Sequence, residues 1–414
     1  MRSAPRSLRL HIGIFGRRNV GKSSLLNALT RQQVSIVSDI AGTTTDPVEK
    51  PMEFLPLGPV LFVDTAGIDD DGILGEMRIQ KTRKILDRVD LIVLVVAGEW
   101  GVFEDQILAE ATSRKIALAV VFNKIDLIEP SPDTIKILDN KQIRWAKTRA
   151  DIGDGITQLR EVLLEIAPAD FFENRGILSD LVEPGRAAVL VVPIDKEAPK
   201  GRLIMPQVQS IRDLLDHDAI CIVTKERELK AVFDTLKVPP QLVVTDSQAF
   251  LKVVADTPPD IPLTSFSILF SRFRGDLVSQ VEGTLAIDTL KPGDKILVAE
   301  ACSHHPIGED IGRVKIPRWL TQYVGGKLEF TTVQGHDFPD NLSEYKLVIH
   351  CGACTINRRE MLNRIMHCRN AGVPITNYGL TIAYSLGIFQ RALGPFPAAL
   401  AVYYRLKMAN SKSA

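Results

Sequence analysis

The chain has 414 residues, 45% hydrophobic and 24% charged, an ordinary globular make-up too long for a single domain. Fifty basic and fifty acidic residues cancel, so no global charge draws it to nucleic acid or to a membrane surface. No apolar run approaches the ~18 residues of a spanning helix, and five unevenly spaced cysteines make no disulfide framework. Residues 1–9 are basic but carry no apolar leader segment, so the expected compartment is the cytoplasm.

Residues 10–15 (Leu-His-Ile-Gly-Ile-Phe) read as a buried strand, residues 16–23 as Gly-Arg-Arg-Asn-Val-Gly-Lys-Ser, and residues 22–30 as a helix. Strand, Gly-rich loop and helix N-terminus are the context of a phosphate-binding P-loop. In that reading the backbone at Gly16, Val20, Gly21 and Ser24 cradles phosphate. Lys22 reaches the β- and γ-phosphates, and the Ser23 hydroxyl coordinates Mg²⁺. Residues 42–46 (Gly-Thr-Thr-Thr-Asp) read as a switch, with Thr43 and Thr44 closing on the γ-phosphate and Thr44 on the metal.

Asp64-Thr65-Ala66-Gly67 follows the apolar run 60–63, so the carboxylate sits at a strand end. There it can hold the Mg²⁺ shell through water while the Gly67 N–H faces a γ-phosphate. Asn123-Lys124-Ile125-Asp126 follows a strand at 117–122. The Asp126 carboxylate can accept from N1–H and the 2-amino group of guanine, a pair of donors that adenine lacks. Together the signatures specify a GTPase hydrolysing GTP to GDP and phosphate, with Lys22, Thr44, Asp64 and Gly67 as its catalytic set.

Residues 10–165 resemble the potassium-activated bacterial GTPases of tRNA modification and ribosome assembly, which share the Gly-Thr-Thr switch and Asp-Thr-Ala-Gly. Ile68 follows Gly67 where signalling GTPases place a water-orienting glutamine, and an aliphatic side chain cannot do that. The resemblance implies that K⁺ supplies the missing charge, held in part by Asn19. It also implies a guanine-side loop, Ser-Ala-Lys in that group, whose nearest match is Trp145-Ala146-Lys147; Ala146 and Lys147 are therefore expected beside the base.

A linker is expected between Pro168 and Pro184, ending a GTPase domain of residues 1–168. Strands at 187–192, 220–224 and 242–245 then alternate with helices at 208–215, 226–236 and 247–254, the pattern of a small parallel sheet. This module, 184–262, shows no catalytic constellation; Asp195 and Lys196 read as a solvated turn, and the module reads as one for packing or dimerisation. Pro258-Pro259-Asp260-Ile261-Pro262 separates it from a third α/β domain, 267–400. The expected fold class is thus α/β: a P-loop GTPase domain followed by two smaller α/β domains with parallel sheets.

The third region holds Cys302-Ser303-His304 and, further on, His350-Cys351-Gly352-Ala353-Cys354. Each group follows an apolar strand (295–299 and 346–349), so both leave the carboxyl ends of strands, the usual place for a site in such a sheet. Three thiolates with His304 or His350 suit structural zinc, the commoner use of this spacing. They also suit a [4Fe–4S] cluster whose last iron keeps a weaker or exchangeable ligand, though on the ligands alone zinc comes first. Cys221 and Cys368 read as core thiols. His305, His336 and His367 have no partner spacing, and Arg358 and Arg359 read as solvated.

The GTPase domain, the middle α/β module and the Cys-x-His…His-Cys-x-x-Cys region together resemble the HydF family of [FeFe]-hydrogenase maturation GTPases over nearly the whole chain. That resemblance implies a [4Fe–4S] cluster held by Cys302, Cys351 and Cys354. It also implies a scaffold that receives a di-iron precursor from radical-SAM maturases and delivers it to the apo-[FeFe]-hydrogenase, while the middle module and the composition add the expectation of a homodimer with no membrane or nucleic-acid partner. The alternative is an RNA-modification or ribosome-assembly GTPase with a zinc-stabilised C-terminal domain, which the balanced charge disfavours.

Overall fold

The run Leu91–Val96 is apolar throughout, and a strand with two apolar faces must be covered on both. In the computed structural model, which describes residues 4–30, 48–55, 57–64, 82–172, 176–193, 203–302 and 310–411, this strand lies inside a six-stranded sheet. The strands are β1 (Leu10–Phe15), β2 (Val48–Phe54), β3 (Gly58–Asp64), β4 (Leu91–Val96), β5 (Ala117–Asn123) and β6 (Arg144–Thr148), in the spatial order β2-β3-β1-β4-β5-β6. β2 runs antiparallel to β3 and the other pairs are parallel.

Side-chain alternation sends Ile12, Ile14, Val93 and Val95 to one face of this sheet. There Leu25 and Leu26 of helix Lys22–Thr30 and Leu159 and Leu163 of helix Ile156–Ile166 cover them. Ile92, Leu94 and Val96 go to the other face, against Ile107 and Leu108 of helix Val102–Ser113 and Leu138 of helix Pro132–Asn140. Each such side chain contributes about 1.5–3 kcal/mol by leaving water, so the cores on the two faces fix where the strands end. The carboxyl ends of β1, β3, β5 and β6 share one edge, where open α/β sheets bind their ligands. These elements belong to one compact unit, Met1–Asn174.

The second unit, Arg175–Ala414, contains two four-stranded sheets in which every strand pair is parallel. The first comprises β7 (Ala187–Val191), β8 (Ile220–Thr224), β9 (Leu242–Thr245) and β10 (Leu263–Ser265), ordered β10-β9-β7-β8. The second comprises β11 (Lys295–Glu300), β12 (Glu329–Gln334), β13 (Leu347–His350) and β14 (Ile375–Asn377), ordered β12-β11-β13-β14.

Residues from the end of the chain complete the core of the first of these sheets. Leu380, Phe389, Leu393 and Tyr403 pack in one cluster with Val189, Leu190, Val243 and Phe250. Segments 184–262 and 267–400, read from sequence as separate domains, thus share a core. The second sheet is covered on one side by Met361, Ile365 and Cys368 of helix Arg358–Asn370 and on the other by Ile316 and Leu320 of helix Ile316–Val324. Cys368 is a fully buried core thiol and Cys221 packs half-buried against the first core. Asp195 and Lys196 lie outside the described residues.

Candidate nucleotide site and candidate metal centre

The loop after β1 curls because two glycines let it. Gly16 and Gly21 have φ of 152° and 92°, and a Cβ on either would lie 2.3 Å from Val95 O or Asn123 Nδ2 respectively. Asn19, at φ 62°, takes the left-handed conformation that asparagine tolerates, and stands exposed at the crest. Lys22 is buried, and its ammonium donates to the carbonyls of Gly16 and Arg17, the latter at 2.7 Å. Arg17 pairs with the buried Glu104 at 2.6 Å, which ties the loop to helix Val102–Ser113. Ser23 and Ser24 lie in the first turn of helix Lys22–Thr30, whose leading N–H groups have no acceptor within the helix.

Asp64 ends β3 and is buried beside this loop's parent strand; β1 and β3 are paired at Ile14 and Asp64. Asn123 braces the site from beneath. Its Nδ2 donates to Val20 O at 2.8 Å, and its Oδ1 accepts from Thr148 Oγ1 and the Ala150 N–H, each at 3.1 Å. Lys124 follows at φ 58°, so the chain turns sharply between the brace and Asp126. The Asp126 carboxylate is part-exposed, with Arg149 Nε 3.4 Å from its Oδ1. Thr43, Thr44, Thr65, Ala66, Gly67 and Ile68, read as switch and hydrolysis residues, lie outside the described residues.

One expectation is corrected. Trp145, Ala146 and Lys147 are not a loop: they lie within β6, with Ala146 fully buried. Trp145 Nε1 donates to Asp139 at 2.9 Å, and Lys147 pairs with Glu129. The segment that leaves the carboxyl end of β6 is Thr148-Arg149-Ala150, and it is this segment that reaches Asn123 and Asp126. Ala146, with Lys147 after it, matches the short pattern better than Ala150 does, but it is Ala150 that lies past the strand end. Arg149 is the residue that the sequence reading missed here.

In the second unit, β11 and β13 are neighbours, with Ala299 paired to His350. The chain therefore leaves both strands side by side, carrying Cys302 from one and Cys351 from the other. The Cys351 N–H donates to Ala299 O at 2.9 Å, and its Sγ accepts from the Ala301 N–H at 3.1 Å. In the turn that follows, the left-handed residue is Ala353, at φ 54°, rather than Gly352. Burial pushes the Cys351 thiol up to about 11 and the Cys354 thiol up to about 12. For Cys354, mutual repulsion with Cys351 and Cys302 adds to this, and the buried Arg274 opposes it. As thiolates the three cysteines would repel one another. Even so, among the described residues no three His, Cys, Asp or Glu side chains gather as they would around one metal ion.

A buried polar network stands beside the thiols. Glu300 Oε2 accepts from Arg313 Nη2 at 3.0 Å and from Gln334 Nε2 at 3.1 Å, and the Tyr378 hydroxyl lies 3.4 Å from Oε1. Burial, with the neighbouring Cys351 and Glu300, raises Tyr378 well above the usual phenol range, so it stays a donor. His350 is fully buried, with Nδ1 2.9 Å from Cys351 O and Nε2 2.9 Å from Arg364 Nη1. Burial and the Arg364 charge push it down to about 3. Arg358, expected in solvent, instead donates to the carbonyls of Phe273 and Gly275 at 3.0 and 2.8 Å. His304 and His305 lie outside the described residues.

Three family models match segments of this chain. A 50S ribosome-binding GTPase model covers residues 11–124, a hydrogen maturase F dimerization domain covers 177–275, and a hydrogen maturase F tetramerization domain covers 278–395. The first unit is accordingly a P-loop GTPase domain, and the chain continues into further α/β domains with parallel sheets. It belongs to the hydrogen maturase F family.

Among curated relatives, the tRNA modification GTPase MnmE of Exiguobacterium sibiricum is 35% identical over 170 residues, 41% of this chain and 35% of that protein. GTPase Der of Nitratiruptor sp. is 39% identical over 127 residues, 30% of this chain and 27% of that protein. The chain thus spans about a third of the length of the curated relatives it matches. Of solved structures, Aquifex aeolicus Era is 19% identical, with 59% of this chain and 97% of that one covered at a TM-score of 0.34. The G domain of T. maritima FeoB is 21% identical, with 39% and 99% covered at a TM-score of 0.29.

Proposed function

We propose that this GTPase is a scaffold for assembly of the di-iron site of [FeFe]-hydrogenase. It carries a [4Fe–4S] cluster on Cys302, Cys351 and Cys354, accepts a di-iron precursor from radical-SAM maturases, and passes it to the apo-hydrogenase. The observation that carries this reading is the juxtaposition of β11 and β13, which delivers cysteines to one edge of a sheet within the segment matching a hydrogen maturase F domain. The donor set fits a cluster better than an ion. Each thiolate of a cubane binds its own iron, so three cysteines need not converge on one point. When bound, such a cluster supplies one iron without a thiolate, a position for His304 or an exchangeable ligand. The chain's own residues place the thiols and offset their charge through Arg274 and Arg364.

In the first unit the proposed roles follow the sequence signatures, and the loop geometry of residues 16–24 supports them. Gly16 to Ser24 cradles phosphate; Lys22 exchanges its carbonyl partners for phosphate oxygens; Ser23, Thr44 and Asp64 serve Mg²⁺; Asn19 helps to hold K⁺. Thr43 and Thr65 to Gly67 close on the γ-phosphate. Asp126 selects guanine, with Lys124 beside it and Asn123 as the brace beneath.

The test is anaerobic reconstitution with iron and sulfide. Wild type should take up about four irons per chain and show a broad visible band that bleaches on reduction, while Cys302→Ser, Cys351→Ser and Cys354→Ser should each lose most of the iron. A protein that binds zinc and stays colourless ends the scaffold reading.

A further inference from the structure

We infer that His350 is not a cluster ligand but a positioning residue that locks Cys351 in place, and that Arg364, Glu360 and His336 hold it in that role; the inference rests on the cluster reading above.

The hydrogen-bond network leaves the imidazole one state. A guanidinium has only donors and keeps its proton, so where Arg364 Nη1 meets His350 Nε2 at 2.9 Å the ring nitrogen must accept. The Cys351 carbonyl can only accept, so Nδ1, 2.9 Å from it, carries the proton. The lone pair that a metal would need is given to Arg364, and the other nitrogen is protonated. Ligation through Nε2 would displace Arg364 and orphan a buried guanidinium donor, and ligation through Nδ1 would break the bond to Cys351 as well; inside a fully buried site an orphaned donor is costly.

What the lock holds is the cysteine. All three polar groups of Cys351 are tied: N–H to Ala299 O, carbonyl to His350, and sulfur to the Ala301 N–H. Of these, the first and last come from the sheet edge, and the carbonyl tie depends on a side chain. Arg364 is in turn fixed from behind. Its Nη2 donates to Glu360 Oε1 at 2.7 Å and Gly335 O at 2.6 Å, and its guanidinium lies 5.1 Å over the Phe338 ring. Glu360, one helical turn before Arg364, also meets His336 Nδ1 at 2.9 Å. A chain of four side chains thus runs from the part-exposed His336 to the backbone of a proposed cluster cysteine. Groups that orient metal ligands in this way act on affinity and electronics without touching the metal.

The experiment uses the full chain labelled with ¹⁵N-histidine. In the iron-free protein, long-range ¹H–¹⁵N correlation, with His350→Gln to assign the signal, should show Nδ1 protonated and Nε2 bare. A protonated Nε2 overturns the inference. This readout needs no iron, so it stands apart from the reconstitution result: a protein that takes up no iron sinks the cluster reading and leaves the tautomer decided. In the reduced, reconstituted wild type, pulsed EPR should show no directly bonded nitrogen that His350→Gln removes; finding one also overturns it.

Arg364→Met keeps every thiol, yet should weaken iron retention about ten- to a hundredfold and shift the EPR g-values. His350→Gln, whose amide can donate to Cys351 O and accept from Arg364, should hold iron like wild type, whereas His350→Leu should behave like Arg364→Met. Wild-type retention and spectrum in Arg364→Met refute the lock. If that variant fails to fold, the two wild-type spectroscopic measurements still decide.

Discussion

Arg149 lies against the carboxylate proposed to select guanine. Asp126 offers its Oδ1 to Arg149 Nε at 3.4 Å, and both side chains are about one-third exposed (34%). A part-exposed pair of that kind contributes about 0.2–1 kcal/mol, so it competes with a base without excluding one. We therefore expect Arg149→Ala to bind GTP up to about fivefold more tightly. Asp126→Asn should do the opposite, losing two bonds to a charged acceptor, about 2–4 kcal/mol, and turning preference toward xanthosine nucleotide. Nucleotide titration of both variants checks this; weaker GTP binding by Arg149→Ala would mean that the guanidinium contacts the base and is not a competitor.

The P-loop is legible in the sequence, and the proposal for Asp126 could be made there, because phosphate and guanine chemistry fix residue types at fixed local spacing. The brace on Asn123 is not, since it joins Val20, Thr148 and Ala150 across strands. For the same reason the cysteine triplet could be read as a ligand set, while Arg274, Arg364 and Glu300 could not. Their relation to the thiols exists only once β11 and β13 are paired.

At the scale of the element, β8 is the exposed edge of its sheet. It pairs with β7 alone, and Ile220 and Val223 are 51% and 46% exposed, an unusual share of apolar surface for a strand end. The Ile220 N–H donates to Arg186 O, and Thr224 O accepts from the Val192 N–H, so even-numbered residues turn their backbone groups toward β7. Cys221 and Val223 therefore turn theirs outward, as a template for another strand. Within a segment that matches a dimerization domain, this is where we expect the copies to pair.

Val223→Pro removes an outward donor and leaves the β7 ladder intact. Its mass by light scattering should fall to about half while its circular dichroism is kept; an unchanged mass would move the interface elsewhere. The strands of this sheet were readable from their β-branched runs, apart from β10. A three-residue strand following a proline-rich segment is too short to show alternation.

Across the whole molecule, the division into two compact units means that acid need not destabilise both alike. In the first unit His11, on β1 and 2% exposed, lies with Nδ1 3.2 Å from Arg88 O and Nε2 3.1 Å from Arg6 O. A charged ring would satisfy both carbonyls, but burial, aided by the Arg6 and Arg88 charges, outweighs that and lowers it from 6.5 to about 4. Unfolded His11 takes up a proton below pH 6.5, whereas folded His11 refuses it until about pH 4. The unfolded state then binds more protons, so stability must rise with pH through this window and fall with acid.

The shift corresponds to about 3 kcal/mol, fully present above pH 6.5 and lost by about pH 4. His11→Gln cannot titrate and should lack this component. The measurement is urea unfolding of the full chain at both pH values, read by pulsed hydrogen exchange and mass spectrometry. Peptides of β1 and β4 should be protected at higher urea at pH 6.5 than at pH 4 in wild type, with a smaller difference in His11→Gln, while β7 and β9 respond alike in the two proteins. Parallel loss of protection in β1 of wild type and variant would show that another group carries the acid sensitivity of the GTPase domain.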